Sequence, residues 1–87
     1  MKTIAASFVP PIALDPRAKS PFYLQLYDWF RGAIIAGKMR PGQRVPSTRI
    51  LAAELKISRI PVLNAYEQLL AEGYFEARVG AGTCVAG

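Results

Sequence analysis

The stretch from Ser58 to Tyr74, Ser-Arg-Ile-Pro-Val-Leu-Asn-Ala-Tyr-Glu-Gln-Leu-Leu-Ala-Glu-Gly-Tyr, reads as a single amphipathic helix. Ser58 is a hydroxyl residue suited to the N-cap, Pro61 falls in the first turn where a missing N–H is tolerated, and Gly73 supplies a left-handed stop. At roughly 100° per residue, Val62, Tyr66 and Leu69 share one apolar face with Leu63 and Leu70 on its flank, whereas Ile60, Pro61, Asn64 and Gln68 lie opposite. One face is built for a core and the other for a surface. Charge divides along the axis as well, with Arg59 at the start and Glu67 and Glu72 in the second half with no base between them. Such a helix offers its N-terminal end to an anion.

The segments before this helix define its neighbours. Residues 1–19 contain Pro10, Pro11 and Pro16 and no sustained period, which predicts an extended N-terminal arm. Pro11 to Asp15 can lie against the domain or a partner, and a disordered leader fits the same residues equally well. Ser20-Pro21 predicts a capped helix start and Gly37 its stop. Between them Tyr23, Leu26, Tyr27, Phe30 and Ile34 recur at three and four residues, a spacing that favours core packing over base stacking for the aromatic side chains. Lys38 to Val45 reads as a type II turn around Pro41-Gly42 leading into a short extended piece. Ser47 then caps a second helix over Thr48–Leu55, with Ile50, Leu51 and Leu55 apolar.

Lys56-Ile57 is a tight turn into the helix at Ser58, so that a short helix, a turn and a second capped helix outline a helix-turn-helix. Lys56 stands at a turn position that usually favours Gly. Beyond Gly73 the period becomes strand-like from Tyr74 to Val79, turns through Gly80-Ala81-Gly82 and returns over Thr83 to Val85, predicting a β-hairpin with Arg78 near its tip. The Gly-x-Gly element neither follows a buried strand nor opens a helix, which argues against a nucleotide-binding loop. The expected architecture is mainly α with a small β-hairpin, a winged helix-turn-helix over residues 20–87 preceded by the arm at 1–19.

Charge narrows the function. The chain of 87 residues is one small domain with a net charge of +5 and a pI near 9.8. Between Lys38 and Arg59, the bases Lys38, Arg40, Arg44, Arg49, Lys56 and Arg59 face the single acid Glu54. That local excess favours a polyanion, nucleic acid before an anionic membrane, although an ordinary solvated basic face would carry the same charges. With no His and one Cys, the chain lacks the makings of a zinc site and of most nucleophile–base pairs, and it reads as no enzyme. Cys84 alone forms no intramolecular disulfide. Lys2 and the apolar residues after it faintly resemble a signal peptide, but Pro10 and Pro11 interrupt them and no cleavage pattern follows. No run approaches the roughly 18 apolar residues of a membrane span. The expectation is a cytoplasmic protein that contacts no membrane.

The segments Tyr23-Leu-Gln-Leu-Tyr27, Gly37, Arg40-Pro-Gly-Gln-Arg-Val-Pro-Ser-Thr-Arg49, Leu51-Ala-Ala-Glu-Leu55, Ser58-Arg59, Ala65-Tyr-Glu-Gln-Leu69, Glu72-Gly-Tyr74 and Val79-Gly-Ala-Gly-Thr83 resemble, in order, the DNA-binding domain of GntR-family transcriptional regulators. The resemblance covers about residues 20–86. Ala65 to Leu69 together with Val79 to Thr83 look most like the MocR subfamily. It implies a bacterial-type regulator that binds a double-stranded DNA operator as a homodimer. It also implies a C-terminal domain, shaped like an aminotransferase and holding pyridoxal phosphate, beyond these residues; no cofactor is expected within them.

Carried over residue by residue, the resemblance gives Arg49 a DNA contact and places Ser58 and Arg59 at the start of a recognition helix spanning 58–72. Arg78 and Gly80 match a wing over 74–85 that approaches the minor groove. From their chemistry, Arg49, Arg59 and Asn64 are candidate base readers, Lys38, Arg40, Arg44 and Lys56 candidate phosphate contacts, and Ser47 a capping hydroxyl at the same surface. Ile60 and Pro61 stand where the family usually has Asn-Thr or Thr-Thr, which removes hydrogen-bonding groups from the groove-facing turn; Ile60 can instead meet a thymine methyl. The same apolar residues, with Leu63, define the alternative: a winged-helix module that contacts protein and reads no DNA.

Overall fold

The computed structural model describes residues 10–87. It contains helices α1 (Phe22–Ile35), α2 (Thr48–Leu55) and α3 (Arg59–Ala71), then strands β1 (Phe75–Arg78) and β2 (Gly82–Val85). The strands pair antiparallel in the register Phe75 opposite Val85 and Arg78 opposite Gly82. A third extended segment completes the sheet. The Val45 N–H donates to Thr83 O at 2.9 Å and the Val85 N–H to Gln43 O at 2.8 Å, so β2 lies between β1 and residues 43–45. The turn that delivers this segment closes from the Gln43 N–H to Arg40 O at 3.0 Å around Pro41-Gly42.

Each helix stops by the same device. After α1, the Gly37 N–H bonds Ile34 O and the Lys38 N–H bonds Ala33 O; after α3, the Gly73 N–H bonds Leu70 O and the Tyr74 N–H bonds Leu69 O. Gly37 and Gly73 take left-handed φ of 77° and 82°, which glycine adopts without a Cβ clash. The turn after α2 repeats the pattern, with the Lys56 N–H on Ala53 O and the Ile57 N–H on Ala52 O, but its left-handed residue is Lys56 at φ 60°. The position that favours Gly is thus filled by a residue that pays for its Cβ.

The core is one cluster. Leu26, Phe30 and Ala33 of α1, Leu51 and Ala52 of α2, and Val62, Ala65, Tyr66 and Leu69 of α3 meet Met39, Val45, Phe75 and Val85. Phe30, Tyr66 and Phe75 stand edge to face around a triangle with centroid separations of 5.7, 5.3 and 5.1 Å, joining α1, α3 and β1. Full burial of each such side chain contributes about 1.5–3 kcal/mol, so this triangle sets the position of the sheet on the helices.

Several sequence expectations shift. Pro21, not Ser20, is the N-cap of α1; its carbonyl accepts from the Leu24 and Gln25 N–H groups at 3.1 Å. Ile50 and Leu70, expected on or beside apolar faces, are 41% and 37% exposed, because Leu51 and Leu69 take the places against the core. The first hairpin strand, expected over Tyr74 to Val79, is one residue shorter at each end, and the second begins at Gly82 rather than Thr83. For the arm, residues 1–9 lie outside the described residues; from residue 10 onward it packs on the domain. Pro10 is fully buried and Ile12 and Leu14 rest against the core. Gln25 ties the arm to α1, accepting from the Asp15 N–H at 2.8 Å and donating to Asp15 O at 3.0 Å and Ser20 O at 2.8 Å.

Candidate nucleic-acid interface

The starts of α2 and α3 meet on one surface. Ser47 is extended, and its Oγ accepts from the Ile50 N–H at 3.1 Å, capping α2 as expected. The preceding carbonyl, of Pro46, accepts the Tyr66 O–H at 2.6 Å, so the entry to α2 is fixed to the buried face of α3. Burial raises the Tyr66 phenol well above its ordinary value and keeps it a donor.

The start of α3 differs. Ser58 has the extended backbone of an N-cap, φ −68° and ψ 164°, but its hydroxyl makes no capping bond. The reason lies in the sequence: the residue three positions on is Pro61, which has no N–H to donate. The expected hydroxyl cap is therefore absent, and Ser58 keeps its side chain uncommitted to its own helix. Arg59 turns back across the gap between the helices, its Nη2 donating to Thr48 Oγ1 at 3.2 Å. Ile60 is 63% exposed, and Asn64, one turn later, is exposed on α3. Arg49 is exposed in the first turn of α2, while Lys56 sits about 10 Å along the axis at the other end of that helix, next to the start of α3.

The wing converges on the same side through β2. Arg44 pairs with Cys84, and its guanidinium lies over Gly82, where a Cβ would meet Nη2 at 3.7 Å and Nε at 3.8 Å. Gly82 is also the strand partner of Arg78. Arg44, Ser47, Thr48, Tyr66, Gly82 and Thr83 line a cleft of about 250 Å³ between the start of α2 and the sheet. Arg78 is held by Glu76, with Nε at 2.6 Å and Nη2 at 2.5 Å from the same carboxylate oxygen. At the tip the Ala81 N–H closes onto Arg78 O at 3.1 Å, Gly80 has φ 81°, and Val79 is fully exposed.

The structure thus joins Arg44, Ser47 and Arg59 through the cleft and through Thr48, and sets Arg78 and Gly80 on the hairpin beside them. Thr48, Glu76 and Val79 are absent from the sequence-derived candidates. Thr48 carried a signal, a second hydroxyl directly after a cap; the pairing of Glu76 with Arg78 was visible only as same-face strand spacing. A second polar network lies at the far end of α3, about 20 Å along its axis. There Tyr27 donates to Glu72, Gln68 Nε2 donates to Glu72 Oε2 at 3.1 Å, and Arg31 Nε donates to Tyr74 Oη at 3.1 Å. The bond from Tyr27 holds the Glu72 carboxyl below its ordinary value, helped by Gln68, and the bond to Glu72 holds the Tyr27 phenol above its own. This network clamps α1 to α3 and stands apart from the basic surface.

Two abutting helix starts, an exposed α3 face and an arginine-bearing hairpin define a winged helix-turn-helix DNA-binding domain. The chain belongs to the gntR family of bacterial regulatory proteins, whose profile matches residues 22–85. It is 45% identical over 75 residues to the "Probable rhizopine catabolism regulatory protein MocR" of Rhizobium meliloti, covering 86% of this chain and 15% of that protein. It is 39% identical over 75 residues to the pyridoxine biosynthesis transcriptional regulator PdxR of Corynebacterium glutamicum, with 86% and 17% covered. The chain therefore spans under a fifth of the length of these relatives. Among solved structures, YtrA from Sulfolobus acidocaldarius, a GntR-family transcription factor, superposes with a TM-score of 0.81 at 32% identity over 87% of this chain and 80% of that one. The DNA-binding domain of AraR in complex with operator ORE1 gives 0.69 at 27% identity, over 93% and 100%. No helix among the described residues is long and apolar enough to cross a membrane, and no metal-binding cluster occurs among them.

Proposed function

We propose that this domain reads a double-stranded DNA operator with the N-terminal end of α3 in the major groove, α2 across the backbone and the β1–β2 wing at the minor groove. The observation that carries this reading is the Arg59–Thr48 bond, which holds the first arginine of α3 against the start of α2 on an otherwise exposed surface. The related AraR DNA-binding domain, in complex with operator ORE1, supports an operator as the partner. Arg59, Arg49 and Asn64 read base edges, where a guanidinium can fork onto guanine O6 and N7. Ile60 contacts a thymine methyl. Lys38, Arg40, Arg44 and Lys56 meet phosphates, and the Ser47 and Ser58 hydroxyls lie at the same backbone. Arg78 and Gly80 serve the wing, where glycine permits close backbone approach.

One domain of this size makes few contacts, so the regulator acts as a homodimer on repeated half-sites. The cleft at α2 does not fit pyridoxal phosphate, because it offers an arginine and hydroxyls but no lysine for an internal Schiff base. Any such cofactor, and any catalytic activity, belongs to a further C-terminal domain of a longer, cytoplasmic regulator, a reading supported by the 15% and 17% of the relatives that this chain covers.

Selection from random duplex DNA with this chain tests the proposal. Recovery of a defined motif whose binding weakens by about 0.9 log units per phosphate contact per log unit of salt is the expected result. Binding without sequence preference, or capture of a protein insensitive to salt through the apolar residues Ile60, Pro61 and Leu63, would instead favour the protein-contact module.

A further inference from the structure

The wing carries an acid at the point where its basic residues converge. On one face of the sheet, the Arg44 guanidinium lies over Gly82, Arg78 is the strand partner of Gly82, and Glu76 lies two residues before Arg78 on the same strand face. Its carboxylate takes both Nε and Nη2 of Arg78 on a single oxygen. An arginine engaged in this way has two of its donors directed along β1 toward Glu76, away from the turn at Val79-Gly80. For Arg78 to reach a nucleic acid it must give up this carboxylate, and Glu76 then stands as an unpaired negative charge close to the phosphates.

We propose that Glu76 is a specificity-determining residue that acts as an internal competitor for Arg78, attenuating binding most where the groove takes up that arginine and so moderating the wing's preference among DNA sequences. This deepens the reading of the wing given above and rests on Arg78 touching DNA. The physical argument is a comparison of two anions. A half-exposed ion pair is weak, so a minor groove of the right width, with its concentrated negative potential, outcompetes the carboxylate; an ordinary backbone phosphate met in passing does so less completely. Among the described residues Arg44 has no carboxylate partner, and it supplies charge to every sequence alike. The wing thus pairs one arginine that is constitutively available with one that is conditionally released. The ion pair is lost in full where the groove takes up Arg78 and kept where it does not, so it weakens the fitted complex more than the unfitted one.

The test uses the 87-residue chain, a duplex recovered by selection and a shuffled duplex of the same composition, with affinities read by fluorescence anisotropy at fixed salt. Glu76→Gln, which keeps the shape and removes the charge, is expected to tighten binding to the selected duplex about two- to five-fold and to the shuffled duplex by less, raising their ratio. Glu76→Thr, a good strand former, should do the same, and circular dichroism confirms the fold of each. In an Arg78→Ala background the Glu76 substitution should bring a smaller gain, that of relieved repulsion from the phosphates alone. An equal gain with and without Arg78 would show a general charge effect and overturn the competitor role. Weaker binding on Glu76→Gln would show that the carboxylate positions Arg78 for DNA, and would overturn it as well. If Arg78→Ala alone leaves both affinities unchanged, the wing reading itself fails.

Discussion

Ser58 and Pro61 stand three residues apart at the start of α3, and the proline removes the backbone N–H that the serine would otherwise cap. The start of α2 provides the internal contrast, because there Ser47 and Ile50 hold the same spacing and the bond forms at 3.1 Å. Ser47→Ala is therefore expected to destabilise the domain by about 1 kcal/mol, the usual worth of a hydroxyl cap, and Ser58→Ala to leave stability within a few tenths of that of the parent. Urea unfolding with unchanged m-values separates the two. A loss of similar size for both would mean that Ser58 caps α3 after all.

Arg59 and Lys38 differ in what they are expected to contribute to binding. Arg59→Ala should cost about 1–3 kcal/mol on the selected duplex and relax base preference at one position, whereas Lys38→Ala should weaken selected and random duplexes alike and lower the salt slope by about one. Titration of both duplexes at several salt concentrations checks this. Identical losses on the two DNAs for Arg59→Ala would remove its base-reading role.

Lys56 joins α2 to α3 in a left-handed conformation at φ 60°. Replacement by glycine relieves the Cβ clash while adding freedom to the unfolded chain, so Lys56→Gly is expected to stabilise by about 0.5–1 kcal/mol. The same change removes a phosphate contact and should weaken all DNA sequences uniformly. Thermal unfolding and anisotropy together test the pair of effects; a destabilised variant would contradict the strain argument.

The clamp between α1 and α3 makes stability depend on pH at both extremes. Glu72 is held below its ordinary value of 4.5 by Tyr27 and Gln68, so its contribution is present above that value and lost as pH falls through the lowered one. Tyr27 is held above its ordinary 10.0 by Glu72, so its contribution is present below that value and lost as pH rises through the raised one. Glu72→Gln should flatten the acid limb of the stability–pH curve relative to the parent. Urea midpoints across the acid range measure it, and parallel curves would show that the clamp contributes nothing.

Local chemistry alone was enough to specify most of the architecture. Helical spacing in Tyr23 to Ile34 and Val62 to Leu69, stops at Gly37 and Gly73, the Pro41-Gly42 turn and the hairpin around Gly80 all depend on residues within a few positions of one another. The basic candidates Arg44, Arg49, Arg59 and Arg78 were legible for the same reason, as charges without an apolar role. Even the missing cap at Ser58 follows from a proline three residues away, a consequence that local sequence contained and pattern matching passed over.

What required the folded chain were relationships between segments distant in sequence. The pairing of Gln43–Val45 with β2 turns a hairpin into a three-stranded wing and brings Arg44 over Gly82. Tyr66 reaches Pro46, Arg59 reaches Thr48, and Tyr27 reaches Glu72 only because the Phe30–Tyr66–Phe75 triangle sets the helices and sheet at one mutual position. Propensity, capping and turn chemistry act over a few residues and so are written locally. The bearing of one element on another is decided by which side chains pack most closely in the core, and that choice exists only once all the elements are present together.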